Sequence, residues 1–160
     1  MNHLSRRGFL SALGSVATAI ALSTATSDAL ARRPQRTHVE WIEVVLPDAD
    51  RRSVRQGMLR EVLQKTSRHV DWGAHPNNKL EGTVKVVEFV VERKADVVRV
   101  TCTALGKLTK GPTVRTHFSM GGHPNEQAKL EKAMLTLIAQ GVITRLSSIA
   151  REQAKRAATG

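Results

Sequence analysis

A chain of 160 residues with a single cysteine has room for one domain and cannot be an intramolecular disulfide scaffold. Its 25 Lys and Arg against 14 Asp and Glu give a net charge of +11, which draws it toward polyanionic surroundings. With two Trp, three Phe and no Tyr, it lacks the stacking platform of single-strand nucleic-acid binders.

The N-terminus reads SRRGFL over residues 5–10, followed by a moderately apolar run over 11–22 and by Ala29-Leu30-Ala31. A cationic segment, an apolar segment and a small-x-small cleavage site stand in the order of a cleavable export signal. Arg6 and Arg7 ahead of Phe9 and Leu10 resemble the twin-arginine (Tat) signal, and the Ser, Thr and Gly that dilute the apolar run suit that route better than Sec. An N-terminal membrane-anchoring helix is the alternative, disfavoured because the run is shorter than the ~20 residues a bilayer needs.

The resemblance implies passage through the Tat translocase, cleavage after Ala31 with Ala29 and Ala31 as the small pair, and a product in the periplasm or secreted beyond it. No cysteine stands at the cleavage site, so a lipoprotein anchor is not expected. Without Arg6, Arg7 and Asp28 the mature chain keeps 23 basic against 13 acidic residues, a charge of +10. Residues 32–37 are expected to form a flexible basic linker, and no later apolar run is expected to span a membrane.

HVEWIEVVL at 38–46 is rich in β-branched and aromatic residues and stops at Pro47, which predicts a strand. An amphipathic helix follows, with Asp48, Asp50 or Ser53 as cap. Val54, Met58, Leu59, Val62 and Leu63 recur on its apolar side, and Arg51, Arg52, Arg55, Arg60 and Lys65 fall on its wet side. Gly73 and Pro76 end it.

Two long strands over 80–93 and 97–107 are separated by a few polar residues, predicting a hairpin. In the second, Val98, Val100, Cys102 and Ala104 alternate with Arg99, Thr101 and Thr103, which places Cys102 in the core. A third strand over 113–120 sets Val114, Thr116, Phe118 and Met120 against Arg115, His117 and Ser119. A closing helix carries Leu130, Met134, Leu137, Ile138 and Gly141 on one stripe, merging into Val142, Leu146 and Ile149, with residues 153–160 expected to fray. The order β-α-β-β-β-α predicts a two-layer α+β sandwich over 38–152, an antiparallel sheet with both helices on one face.

GAHPN at 73–77 is nearly repeated by GGHPN at 121–125, which raises the question of a shared site for His75 and His123. An up-down-up meander separates the two by a strand of roughly 33 Å, far too much for a common zinc ion with ligands at ~2.1 Å. One stretch stops a helix and the other starts one, and both tasks call for Gly, Pro and Asn. Turn chemistry is therefore the expected role.

His38 and His69 lack a neighbouring Cys or carboxylate at metal-ligand spacing, and Cys102 on a core face reads as an inert small hydrophobe. No Gly-x-Ser-x-Gly elbow, phosphate-binding glycine loop or His-Glu-x-x-His is present. MGGHP at 120–124 precedes a helix, where amides can bind an anion, but a strand-to-helix turn needs glycine in any case. No catalytic residue, metal ligand or cofactor is assigned.

KLEGTVKVVEFVVERKADVVRVTCTAL, followed by a strand and by EQAKLEKAMLTLIAQGVITRL, resembles the small α/β modules of envelope proteins such as the curli secretion-channel component and the TolB N-terminal domain. The resemblance spans residues 48–149 and rests on the strand entry at 80–84. It implies an interaction domain of envelope assembly rather than an enzyme, with no residue role carried over. The chain departs from many of those modules in having no lipoprotein cysteine.

The expectation is an exported, non-enzymatic periplasmic binding or assembly module. Its partner would be an envelope protein or an acidic envelope polymer, and Arg99, Arg115 and His117 on the solvent side of the sheet form the candidate binding face. A Tat-exported metal- or cofactor-dependent enzyme and a nonspecific polyanion binder are the alternatives. Nucleic acid is disfavoured by the export signal.

Overall fold

The structure, a computed structural model, describes residues 36–47 and 52–159. The export residues Arg6, Arg7, Phe9, Leu10, Ala29 and Ala31, and the cap candidates Asp48 and Asp50, lie outside the described residues. Pro34–Gly160 forms a compact unit by itself.

Within it stand strand β1 (His38–Val45), helix α1 (Arg52–Ser67), strands β2 (Lys79–Lys94), β3 (Val97–Leu108) and β4 (Thr113–Gly122), and helix α2 (Gln127–Thr159). The predicted α+β plan and element order hold. The strands lie in the order β1-β2-β3-β4; β2, β3 and β4 form the antiparallel meander. One feature of the prediction is corrected: β1 pairs with β2 in parallel, so the sheet is mixed. α1 supplies the crossover that a parallel pair requires.

Alternation places one face of the sheet under the helices. Val84, Val86, Val98, Val100, Cys102 and Ala104 are buried there. The alternation changes phase twice, because the register slips between Trp41 and Glu43 and between Val86 and Glu88. The two extra residues, Ile42 and Val87, stand 53% and 42% exposed. The second slip has a consequence for the opposite face: without it, Glu88 would follow Val86 into the core.

On α1 the buried stripe runs through Arg55, Leu59, Leu63 and Ser67. This corrects the sequence reading, which put Arg55 in water and Val54 and Met58 in the core; Val54 and Met58 are exposed. Arg55 is drawn inward by a buried partner, Glu131 of α2, and by the Phe89 ring 4.6 Å away. Periodicity alone misses this, since it counts a charged residue as wet.

α2 buries Met134, Leu135, Ile138, Ala139, Val142, Ile143 and Leu146. It runs to Thr159, and Ala154 packs against Gly73, whose φ of +79° suits glycine. By length and composition the helix with its leading turn, Pro124–Thr159, could cross a membrane, contrary to the sequence expectation, but half of its apolar window is buried inside the fold. Thr37 of the predicted linker is buried and donates its hydroxyl to the Gly73 carbonyl at 2.6 Å.

Candidate binding face

The sheet face turned away from the helices carries the polar half of each strand. Its residues meet in cross-strand rows fixed by register: Lys85, Leu105 and Arg115; Glu88, Thr103 and His117; Val90, Thr101 and Ser119; Glu92, Arg99 and Gly121. Arg99, Arg115 and His117 are all exposed and share this face. They do not form one cluster. Arg99 lies level with Gly121, six positions along β4 from Arg115, a separation of roughly 20 Å. Its cross-strand neighbour is Glu92.

Arg115 and His117 are joined instead by residues the sequence reading did not single out. Lys85 and Arg115 flank the half-buried Leu105, and Lys107 stands two positions further on β3. Lys85, Lys107 and Arg115 are exposed, and none holds an ion pair with a described residue. At the edge of the sheet Arg145 of α2 donates to the Arg115 carbonyl.

The adjacent row is a hydrogen-bonded chain. The Thr103 hydroxyl, fully buried, donates to Glu88 Oε2 at 2.8 Å and lies 2.8 Å from His117 Nδ1. A hydroxyl has one proton. Once it is committed to the carboxylate, Nδ1 must carry the proton that closes the second contact. The row therefore fixes the ring and its tautomer, and it restrains Glu88. Buried beneath its two partners, the Thr103 hydroxyl is not placed to attack a substrate.

The signal for Thr103 is present in the alternation of β3, which sets it beside Arg99 and Thr101. Glu88 is hidden from the same logic because the bulge at Val87 shifts the phase of β2.

His75 and His123 lie at opposite ends of the sheet, as expected. His75 leads into β2 at the end where Gly82 pairs with Leu108, and His123 follows β4 at the end where Gly122 pairs with Val98. Each closes its own turn. His75 Nε2 meets the Trp72 carbonyl at 3.0 Å, and His123 Nδ1 accepts the Asn125 amide at 3.3 Å. The latter amide is thus taken by the imidazole rather than offered to an anion.

Among the described residues no group of three His, Cys, Asp or Glu is arranged to hold a metal ion. Cys102 is buried, and burial, with a smaller contribution from the Glu88 charge, pushes its thiol up to about 12. Clefts of about 530 Å³ beside Trp72, 520 Å³ between the start of β1 and the end of α1, and 470 Å³ beside His75 and Leu108 are lined by neither Arg115 nor His117.

No family model matches the chain, and no curated protein sequence matches it. Among solved structures, a minor lipoprotein from Acinetobacter baumannii is similar at 12% identity and TM-score 0.42, over 70% of this chain and 91% of that one. A chain assigned as a lipoprotein from Caulobacter crescentus is similar at 14% identity and TM-score 0.41, over 70% and 90%. The rare lipoprotein B from Shewanella oneidensis is similar at 12% identity and TM-score 0.38, over 66% and 94%.

Proposed function

We propose that this chain is an exported, non-enzymatic binding or assembly module of the bacterial envelope that works through the helix-free face of its sheet. The observation that carries the reading is the group of cations, Lys85, Lys107 and Arg115, that hold no ion pair with a described residue and gather with His117 on that face. Strand register fixes where each side chain leaves the sheet, and these cations, with Glu43, Glu81 and Glu88 beside them on the same face, suit a partner of mixed, partly acidic surface. The twin-arginine-like N-terminus supports export to the compartment where such partners are found.

The test is crosslinking capture from native periplasm with residues 32–160 as bait. The comparison baits are the Lys85→Gln/Lys107→Gln/Arg115→Gln variant and a separate Arg99→Ala variant. Capture of one envelope protein or acidic polymer, lost in the triple variant and kept with Arg99→Ala, supports the reading. Capture that ignores the triple substitution moves the function off this face and overturns it.

A further inference from the structure

The two edges of the sheet are built differently. β1 carries the bulge at Ile42, the exposed Glu40 and Glu43, and a Val44 carbonyl already taken by Gln56 Nε2 at 2.6 Å. β4 ends the strand order on the other side, keeps its register with β3 unbroken, and has neither proline nor an acidic residue in its length. A long, regular edge of this kind is a template for another strand.

The direction of its free groups follows from the contacts around it. Arg145 donates to the Arg115 carbonyl, which therefore points away from β3. On the same side of the strand, the close side-chain contacts of Thr103 with His117 and of Thr101 with Ser119 mark pairs without ladder bonds, whose side chains stand nearer each other. Arg115, His117, Ser119 and Gly121 thus turn both N–H and C=O outward.

These groups match a second copy of the same strand. With a twofold axis at Phe118, Arg115 pairs with Gly121 and His117 with Ser119, each exchanging N–H and C=O with its mate. No cation then faces a cation, whereas slipping the pairing toward Thr113 sets His117 against its own mate. On the helix side the same register sets Phe118 against Phe118 and Thr116 against Met120. Phe118 and Met120 are only half-buried, and a second copy completes their cover.

The helix layer fits this arrangement. α2 lies over the edge with Leu130 against Gly122 and Gly141 against Thr116 and Phe118, while Val142 reaches Gly106 of β3. Its axis there runs between β4 and β3, about half a strand spacing inside β4. Across the twofold the two α2 axes come about 10 Å apart, the separation of packed helices. Helical spacing puts Ala133, Leu137 and Thr144 on the same side as Leu130 and Gly141, so the surfaces that meet are uncharged and small or apolar.

We infer that the chain forms a twofold dimer through β4, which joins two sheets into one and packs α2 on its mate. Arg145 gives up the Arg115 carbonyl in that contact. Such a dimer does not draw on Lys85 or Lys107: it sets the two helix-free faces side by side and leaves those lysines clear.

The test is sedimentation equilibrium of residues 32–160, which hold the compact unit Pro34–Gly160 and every core residue. Ser119→Pro removes an outward N–H while leaving the ladder to β3 whole, and far-UV circular dichroism checks its fold. The twofold uses that N–H twice, so the dimer is expected to weaken by roughly 30-fold. Leu137→Arg, which opposes two like charges between the helices, is expected to weaken it as well and leaves the strand untouched. In a Cys102→Ala background, Phe118→Cys faces its mate as a non-hydrogen-bonded pair, within disulfide reach. It is expected to crosslink on mild oxidation, and Thr116→Cys, set opposite Met120, is not.

A chain that stays monomeric at high concentration overturns the inference and leaves the capture experiment on the helix-free face untouched. So does a dimer indifferent to Ser119→Pro or to Leu137→Arg, which places the contact elsewhere. A dimer in which Thr116→Cys crosslinks as readily as Phe118→Cys overturns it too, because the strands would then not meet in this register.

Discussion

Arg55 of α1 and Glu131 of α2 meet at 2.9 Å between the helices, with side chains only 10% and 7% exposed. The guanidinium uses both Nε and Nη2 on one carboxylate oxygen, while Gln127 donates to the other at 2.9 Å. The Phe89 ring lies against the guanidinium, so the pair joins both helices to the sheet. Removing Arg55 leaves the buried Glu131 charge without its guanidinium, which costs about 3–5 kcal/mol. Arg55→Met alone is expected to lower unfolding free energy by that amount in urea, and Glu131→Leu alone to lower it too. The Arg55→Met/Glu131→Leu double variant is expected to recover most of it. A double variant as unstable as the sum of the singles would show that the two residues do not couple and would contradict the buried pair.

That pair also marks where the sequence was hard to read. The strands were legible because alternation and the turn residues at Ala95-Asp96 and Gly111-Pro112 agree with each other. Arg55 and Glu131 were not, since each becomes a core residue only through a partner 76 positions away. The parallel placement of β1 was equally hidden, because a crossover through α1 and an antiparallel placement carry the same local pattern. At the candidate face Arg115 and His117 were readable from β4 alone. Glu88 and Lys85 needed the position of the bulge at Val87, which no period-two pattern supplies.

α2 lies so close to the sheet that a Cβ on Gly106 would collide with Val142 Cγ1, and one on Gly141 would sit 2.7 Å from Thr116 Cγ2. Gly106→Ala is expected to destabilise by about 1–3 kcal/mol through overpacking. Gly57 offers the contrast, being a helical glycine with nothing within 4 Å of its added Cβ. Gly57→Ala should stabilise by about 0.5–1 kcal/mol from helix propensity. Thermal melts of the two variants should move in opposite directions; parallel shifts would disprove the close approach at Gly106.

Burial lifts the Cys102 thiol from an ordinary value of 9.0 to about 12. In the folded chain it therefore stays protonated at pH 8 and should resist thiol reagents until the protein unfolds. Between about 9 and 12 the unfolded chain releases this proton while the folded chain keeps it, so stability falls as pH rises across that window. Cys102→Ala should remove this part of the alkaline slope. Rapid labelling of the native protein at pH 8 would contradict the burial.

The row Glu88, Thr103 and His117 makes a prediction about a proton. Because the hydroxyl donates to Glu88, neutral His117 should hold its proton on Nδ1, whereas an unrestrained imidazole favours Nε2. Nitrogen chemical shifts of labelled histidine distinguish the two tautomers directly. Thr103→Val keeps the shape of the strand but removes both contacts, so the signal of His117 should move toward the Nε2 tautomer, with a stability loss of about 1 kcal/mol. Thr103→Ser restores a hydroxyl and should restore the Nδ1 tautomer, which a purely steric role for Thr103 would not do. An Nε2 tautomer in the unsubstituted protein would reverse the chain: the hydroxyl would then donate to the ring, and Glu88 would be left with no donor from Thr103.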